Sequence, residues 1–282
     1  MTDSPPSTQG EIIIRPTAAR PISPLLFGAF FEDLNYAADG GLYAELIQNR
    51  SFAYSARDNG DWNFLTAWEI VEDGGACTVA LRNAEPLHPN NPHYLVLHID
   101  AAAGTVGVRN RGYGGIPLRT GEAYAFSCFV RRLSGALAPL RVELRGRQGA
   151  LLAAAELPPP KETWEQVSVT LHPAGGDPFA TCTVLCAGVG ALALDMVSLF
   201  PQQTFQQRPN GLRADLAQAI ADLKPRFLRF PGGCLAHGDG LDNMYRWKDT
   251  VGPPHTRREQ PNIWNYHQSV GLGYYEYFQF CE

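Results

Sequence analysis

PLLFGAFFED, residues 24–33, is the stretch on which the fold turns. Its unbroken apolar run from Pro24 to Phe31 lacks the alternation of a half-buried strand and is too short for a free-standing helix. It reads as a parallel strand covered on both faces. The run ends on two carboxylates, Glu32 and Asp33. A second strand is read at Arg226–Phe230, RFLRF, leading into Pro231-Gly232-Gly233. Ahead of it Leu212, Leu216, Ile220 and Leu223 recur at helical spacing, with Asn210 as the N-cap and Pro225 as the stop. Working outward, Ile12–Ile14 reads as a short strand. Leu42, Leu46 and Ile47 read as one face of a helix behind the Gly40-Gly41 loop, and GLGYYEYFQFCE (271–282) as a helix start.

Between about Trp62 and Pro201 the texture is different. Short β-rich segments, among them HYLVLHID (93–100), AYAFSCFVRR (123–132), EQVSVTLH (165–172) and LALDMVSLF (192–200), are separated by Gly, Pro and Asn turns. Such a series predicts an antiparallel β-sandwich, with Trp164 buried against a second sheet. A strand–helix–strand pattern on either side makes the sandwich an insertion in a βα loop of a parallel-sheet fold. The expected organisation is therefore a tail and strand over 1–20, a first parallel strand and helix over 21–61, the inserted sandwich over 62–203, and a return to α/β over 204–282.

Composition narrows the function classes. The 282 residues are 45% hydrophobic and 18% charged, with a formal charge of −5. That is a globular chain without the clustered positive charge that releases counterions from nucleic acid, so nucleic-acid partners are not expected. Nor is membrane insertion, since no apolar run approaches the roughly 20 residues of a spanning helix. The polar start, MTDSPPSTQG, has no apolar h-region, from which a cytoplasmic location is expected. Six scattered cysteines, at 77, 128, 182, 186, 234 and 281, fit reduced thiols better than a disulfide set. They offer no second pair for zinc, and no metal or cofactor is expected.

Two clusters can carry chemistry. Glu32 lies where parallel-sheet enzymes place ligands, beyond the carboxyl end of a strand. It suits sugar hydroxyls or an arginine partner, and equally a solvated loop. Arg229, inside a strand, calls for a carboxylate, while Gly232 and Gly233 allow close backbone approach. Cys234 follows that turn without an evident activating histidine. His237, His255 and His267 match no ligand spacing, and Asp239 and Asp242 fail the calcium-loop pattern. Tyr245, Trp247, Trp264, Tyr266, Tyr274 and Tyr275 suit either the wall of a sugar site or ordinary packing.

Taken together, residues 22–52, 208–234, YRWKDTVGP (245–253) and NIWNYHQSVGLGYYEYFQF (262–280) resemble, in order and spacing, glycoside hydrolase family 51 α-L-arabinofuranosidases. The middle, GVRNRGYGGIPLRTGEAYAFSCFVRR (107–132) and DMVSLFP (195–201), resembles the carbohydrate-binding-type sandwich that one branch of that family inserts after its first barrel strand. The resemblance implies the N-terminal part of a (β/α)8 barrel and a retaining mechanism using two glutamates about 5 Å apart. It further implies terminal arabinofuranosyl units of oligo- or polysaccharides as substrate, and a homo-oligomer for the full-length enzyme.

By that analogy Glu32, Arg229, Gly233, Cys234 and Trp247 contact substrate, with Cys234 standing where many relatives carry asparagine. No Asn-Glu pair occurs in the chain, and Glu45, Glu69, Glu276 and Glu282 match neither catalytic motif. Both reacting carboxylates are therefore expected beyond Glu282, and the isolated chain is expected to be inactive. The alternative is a non-catalytic carbohydrate-binding fragment acting through residues 62–203, with Trp62, Trp68 and Tyr113 as its aromatic candidates.

Overall fold

A computed structural model describes residues 10–16 and 19–282. In chain order, β1 (Ala29–Phe30) precedes nine strands of one antiparallel system. These are β2 (Trp68–Asp73), β3 (Ala76–Arg82), β4 (Tyr94–Asn110), β5 (Ile116–Leu118), β6 (Tyr124–Leu137), β7 (Arg141–Arg145), β8 (Leu151–Glu156), β9 (Glu165–Leu171) and β10 (Asp177–Pro201). There follow α1 (Ala214–Asp222), β11 (Leu228–Arg229), α2 (Cys234–His237), β12 (Gln260–Asn262), β13 (Tyr266–Gln268) and α3 (Tyr274–Cys281).

The nine strands form two layers because β4 and β10 are long enough to serve both. Leu95–Ala101 of β4 pairs with the far half of β10, and β3, β6 and β9 complete that layer. Val106–Asn110 pairs with Cys182–Cys186, and β2, β5, β7 and β8 complete the other. The register of β10 slips between Cys186 and Gly188, where it crosses from one layer to the next. Gly188 sits there at φ +109°, a conformation that a side chain would strain, with the Ala136 carbonyl against its α-carbon. Alternate residues then face one core: Leu95, Leu97 and Ile99, Val106 and Val108, Phe126, Cys128 and Val130, Val142 and Leu144 are all buried together. Trp164 packs instead on the outside of a layer, edge-on to Tyr94 at 5.2 Å and under the Arg131 guanidinium.

The flanking segments depart from expectation in instructive ways. β1 and β11 do pair in parallel, Ala29 with Leu228 and Phe30 with Arg229. The strand within 24–31 is only two residues long, however, and Leu25, Leu26 and Phe27 are exposed, because among the described residues β11 is its one neighbour. Ile12–Ile14 is not a strand; the side chains lie in solvent and, among the described residues, the segment has no pairing partner. Asn210 does not cap α1, whose N-cap is Arg213. Its amide instead donates to the Gly271 carbonyl at 3.1 Å and to Glu276 at 2.9 Å, and accepts from the Tyr43 hydroxyl.

The helix expected over Leu42–Ile47 is absent. Asp39, Gly40 and Gly41 break helical geometry, and the following chain is held extended by better offers from outside. Leu46 N–H donates to the Leu199 carbonyl at 3.0 Å. The buried Glu45 carboxylate accepts from Ile47 N–H at 3.0 Å, Leu199 N–H at 2.9 Å and the Ser198 hydroxyl at 2.6 Å. It also lies 3.6 Å from Arg50. Removing one side of a buried charge pair leaves the other uncompensated. Glu45→Ala is therefore expected to cost about 3–5 kcal/mol, read as a drop in the urea midpoint, whereas Glu69→Ala, on the surface, should move it little.

Candidate functional site

The parallel pairing of β1 and β11 brings residues some two hundred positions apart to one rim. Glu32 follows β1, and Pro231-Gly232-Gly233 follows β11 before α2 begins at Cys234. Glu32 Oε1 accepts from Leu235 N–H at 3.2 Å. Gly232 has φ +137° and leaves the space that the Glu32 carboxyl occupies, so a side chain at 232 would collide with it. The Arg229 guanidinium lies over the Phe30 ring, 4.6 Å from its centroid, and beside Gly233.

Contrary to the sequence reading, Arg229 is not an ion-paired interior residue. It is exposed, and among the described residues no carboxylate lies within 4.0 Å of it. A short strand with an open edge has no interior to bury it in, so the aromatic face supplies what contact it has. Glu32 and Arg229 thus share a rim without joining, and Arg229 keeps its donors free. Cys234 is half-buried at the first position of α2, and His237 is exposed at its end. Trp247 belongs to the same neighbourhood through a chain of rings: 5.3 Å to Tyr274, and Tyr274 5.3 Å to Phe230, the residue after β11.

Directly beneath α2, Asp33 and Asp39 are buried and line one small cavity with Pro231, Leu235, Tyr245 and Gln268. Burial, then the charge of Asp39, pushes the Asp33 carboxyl up to about 7; burial also raises Asp39. Two carboxyl groups in a closed space are the setting in which glycosidic bonds are cut. This space, about 20 Å³, holds no more than a water molecule. The oxygens are also committed: Asp33 Oδ1 accepts from Ala38 N–H at 2.9 Å and the Tyr266 hydroxyl at 3.2 Å, and Asp39 takes both the N–H and the hydroxyl of Ser269. The pair braces the rim from below.

A larger buried cluster escaped the sequence reading entirely. His267 is clamped between Asp58 (Nδ1, 2.8 Å) and Glu259 (Nε2, 3.1 Å). Glu259 also accepts from the Ser51 hydroxyl and lies 3.8 Å from Arg50. The partners are separated by up to 209 positions, so no local spacing could have pointed to them. Glu276, likewise inconspicuous in sequence, takes both ends of the buried Arg257 fork at 2.7 and 2.9 Å and accepts from Gly273 N–H at the start of α3. Of the aromatic candidates in the sandwich, Trp68 is buried with its indole N–H on the Asn49 carbonyl, Trp62 is stacked on Tyr54 at 4.7 Å, and Tyr113 packs against Gly40. They bind the layers to the flanking chain.

Comparison with known proteins finds arabinofuranosidases. A family model described as the alpha-L-arabinofuranosidase 1 domain matches residues 219–282. An extracellular exo-alpha-L-arabinofuranosidase of Streptomyces chartreusis is 42% identical over 98% of this chain and 33% of its own length. Alpha-L-arabinofuranosidase 1 of Arabidopsis thaliana is 35% identical over 93% of this chain and 39% of its own. Among solved structures, an arabinose-bound MgGH51 α-L-arabinofuranosidase aligns with a TM-score of 0.81 at 33% identity, over 91% of this chain and 42% of that one. The chain thus spans between a third and about two fifths of the proteins it matches.

The His267 clamp makes stability depend on pH. Burial alone would lower the imidazole, but hydrogen bonds to Asp58 and Glu259 outweigh it and carry the group up to about 9. With the folded value above the unfolded one, the contribution is complete below about pH 6.5 and is lost as pH rises through 9. It is worth on the order of 3 kcal/mol at most. The melting temperature should fall between neutral pH and pH ~9.5, and His267→Gln, less stable at neutral pH, should show a flatter profile across that window.

Proposed function

We propose, because the chain is a relative of the glycoside hydrolase family 51 α-L-arabinofuranosidases over more than nine-tenths of its length, that its rim forms part of an arabinofuranose-binding wall. The geometry that carries this reading is the parallel β1–β11 pairing, which brings Glu32, just past β1, and Arg229, the last residue of β11, to one rim. Arg229 offers donors to sugar hydroxyls, Glu32 offers the carboxylate oxygen that Leu235 leaves free, and Gly233 and Cys234 let a ring approach the backbone. Trp247, about half exposed, presents an apolar face for the sugar C–H surface.

In this reading β1, α1 and β11 are the opening elements of a (β/α)8 barrel, and residues 62–203 are an insertion after its first strand. The exposed side chains of Leu25, Leu26, Phe27, Phe30 and Phe227 are then the faces that further barrel elements of a whole enzyme cover. The reaction proposed for the whole protein is retaining release of terminal arabinofuranosyl units. It needs one carboxyl group to protonate the leaving oxygen and another to capture the sugar. Among the described residues, the buried carboxyl pair below the rim is closed to a sugar, and the four glutamates weighed against the catalytic motifs are engaged elsewhere. Glu45 is held by β10, Glu276 by Arg257, Glu69 by Arg111, and Glu282 by Arg208. This chain therefore supplies binding groups without the reacting pair.

Purified 282-residue chain incubated with an aryl α-L-arabinofuranoside should release no aglycone beyond that of a Glu32→Gln control. Turnover clearly above that control would overturn the assignment of the reacting carboxylates to other parts of the protein.

A further inference from the structure

We infer that the sandwich carries a separate binding groove for an acidic, uronate-bearing oligosaccharide, on the outer face of β2, β4, β10 and β7. An open groove of about 590 Å³ there is lined by Arg109, Arg111, Arg145 and Arg147 with a single lining carboxylate, Glu69. The placement follows from register. Val108, Val184, Val142 and Leu144 turn into the core, so their strand neighbours turn outward: Glu69, Arg109, Thr183 and Glu143 form one row across four strands, and Thr181 and Arg145 lie in the next. Four strands make a floor about 14 Å wide.

The positive charge is only partly neutralised locally, because each carboxylate is divided between two guanidinium groups. Glu69 is shared by Arg111 and, at 3.9 Å, by Arg109. Glu143 is shared by Arg145 at 2.7 Å and Arg141 at 2.8 Å. The side chain of Arg147 has no carboxylate within 4.0 Å among the described residues; its guanidinium lies 5.0 Å from the centroid of Phe179, a ring 48% exposed. In a chain of net charge −5, this face is a local positive excess. Glycines at 114, 115, 146 and 149 line it between these side chains.

Guanidinium forks match carboxylates two bonds at a time, while the Phe179 ring suits the C–H face of a sugar. A neutral oligosaccharide offers the forks hydroxyl oxygens but leaves their positive charge unmatched. A nucleic-acid backbone would meet the carboxylate of Glu69 shared by Arg109 and Arg111. The occupant is thus a carboxylated sugar chain. The choice of a carbohydrate over other anions rests on the arabinofuranosidase relationship.

Calorimetric titration of the whole chain with trigalacturonate tests the groove. Binding is expected at about 20 mM salt and should weaken about tenfold by about 300 mM. Arg111→Gln with Arg147→Gln, both exposed positions, should weaken it by about tenfold or more. Glu69→Gln should tighten it, a gain that simple loss of structure cannot mimic. The inference is overturned if neutral galactotriose binds as well, if the double variant or Glu69→Gln leaves affinity unchanged, or if an oligothymidylate binds more tightly. Arabinotriose titrated in parallel separates the two readings. Its binding without that of trigalacturonate removes the groove and leaves the rim, and trigalacturonate binding alone supports the groove without the rim.

Discussion

A charged side chain in the interior governs how this molecule is put together. Arg50 is almost wholly buried, and a guanidinium there is tolerable only with carboxylates close by. It has Glu45 at 3.6 Å and Glu259 at 3.8 Å, and its Nη1 donates to the Tyr43 hydroxyl. Each partner belongs to a different part of the chain. Glu45 is bound to Ser198 and Leu199 at the end of β10, Tyr43 reaches Asn210 ahead of α1, and Glu259 reaches His267 on β13. The Arg50 carbonyl completes the tie by accepting from Val197 N–H. One buried cation thereby obliges the sandwich, the segment after β1 and the β12–β13 hairpin to meet.

That obligation explains which features could be read from sequence. Periodicity reports local structure, and where local structure decided the outcome the reading held: α1 lies over the Leu212–Leu223 repeat, α3 follows Gly273, and β-branched segments become the strands of the sandwich. That PLLFGAFFED and RFLRF each hold a parallel strand was legible because strand ends carrying carboxylates and glycines have a recognisable texture, whereas their direct pairing came only with the fold. The segment 42–47 defeated the reading because its apolar spacing is helical while its hydrogen bonds are claimed by Leu199 and Gly211, more than 150 positions away. The His267 clamp was illegible for the same reason. Asp58, Glu259 and His267 are unremarkable polar residues in sequence, and only the folded chain makes them neighbours.

The rim shows a related division between what positions and what reacts. Below it, polar groups are fully employed: Asp33 receives Ala38 and Tyr266, Asp39 receives Ser269, and the Asp33 carbonyl receives Asn262 and Tyr266. Above it, Arg229 is exposed and, among the described residues, has no ion pair. A buried polar network that is satisfied internally confers rigidity; a surface guanidinium resting on an aromatic ring remains available. That contrast separates Asp33 and Asp39, whose raised affinity for protons arises from burial, from groups able to meet a ligand. A perturbed carboxyl is a functional clue only when something can reach it.

The same logic bears on why the rim depends on the rest of the molecule. Two paired residues per strand, with Leu25, Leu26, Phe27 and Phe227 uncovered, cannot make a self-supporting parallel sheet, since such sheets are stabilised by cover on both faces. What holds β1 and β11 in place is lateral. Phe31, Leu228 and Phe230 pack into the cluster of Leu42, Tyr43, Leu272 and Tyr277, and that cluster is fastened through Tyr43 to Arg50 and hence to β10. Rigidity is thus exported from an extensive antiparallel core to a small parallel one along a path of buried charge. A substitution anywhere on that path acts on Glu32 and Arg229 without touching either, because it loosens the cluster against which Phe31, Leu228 and Phe230 pack.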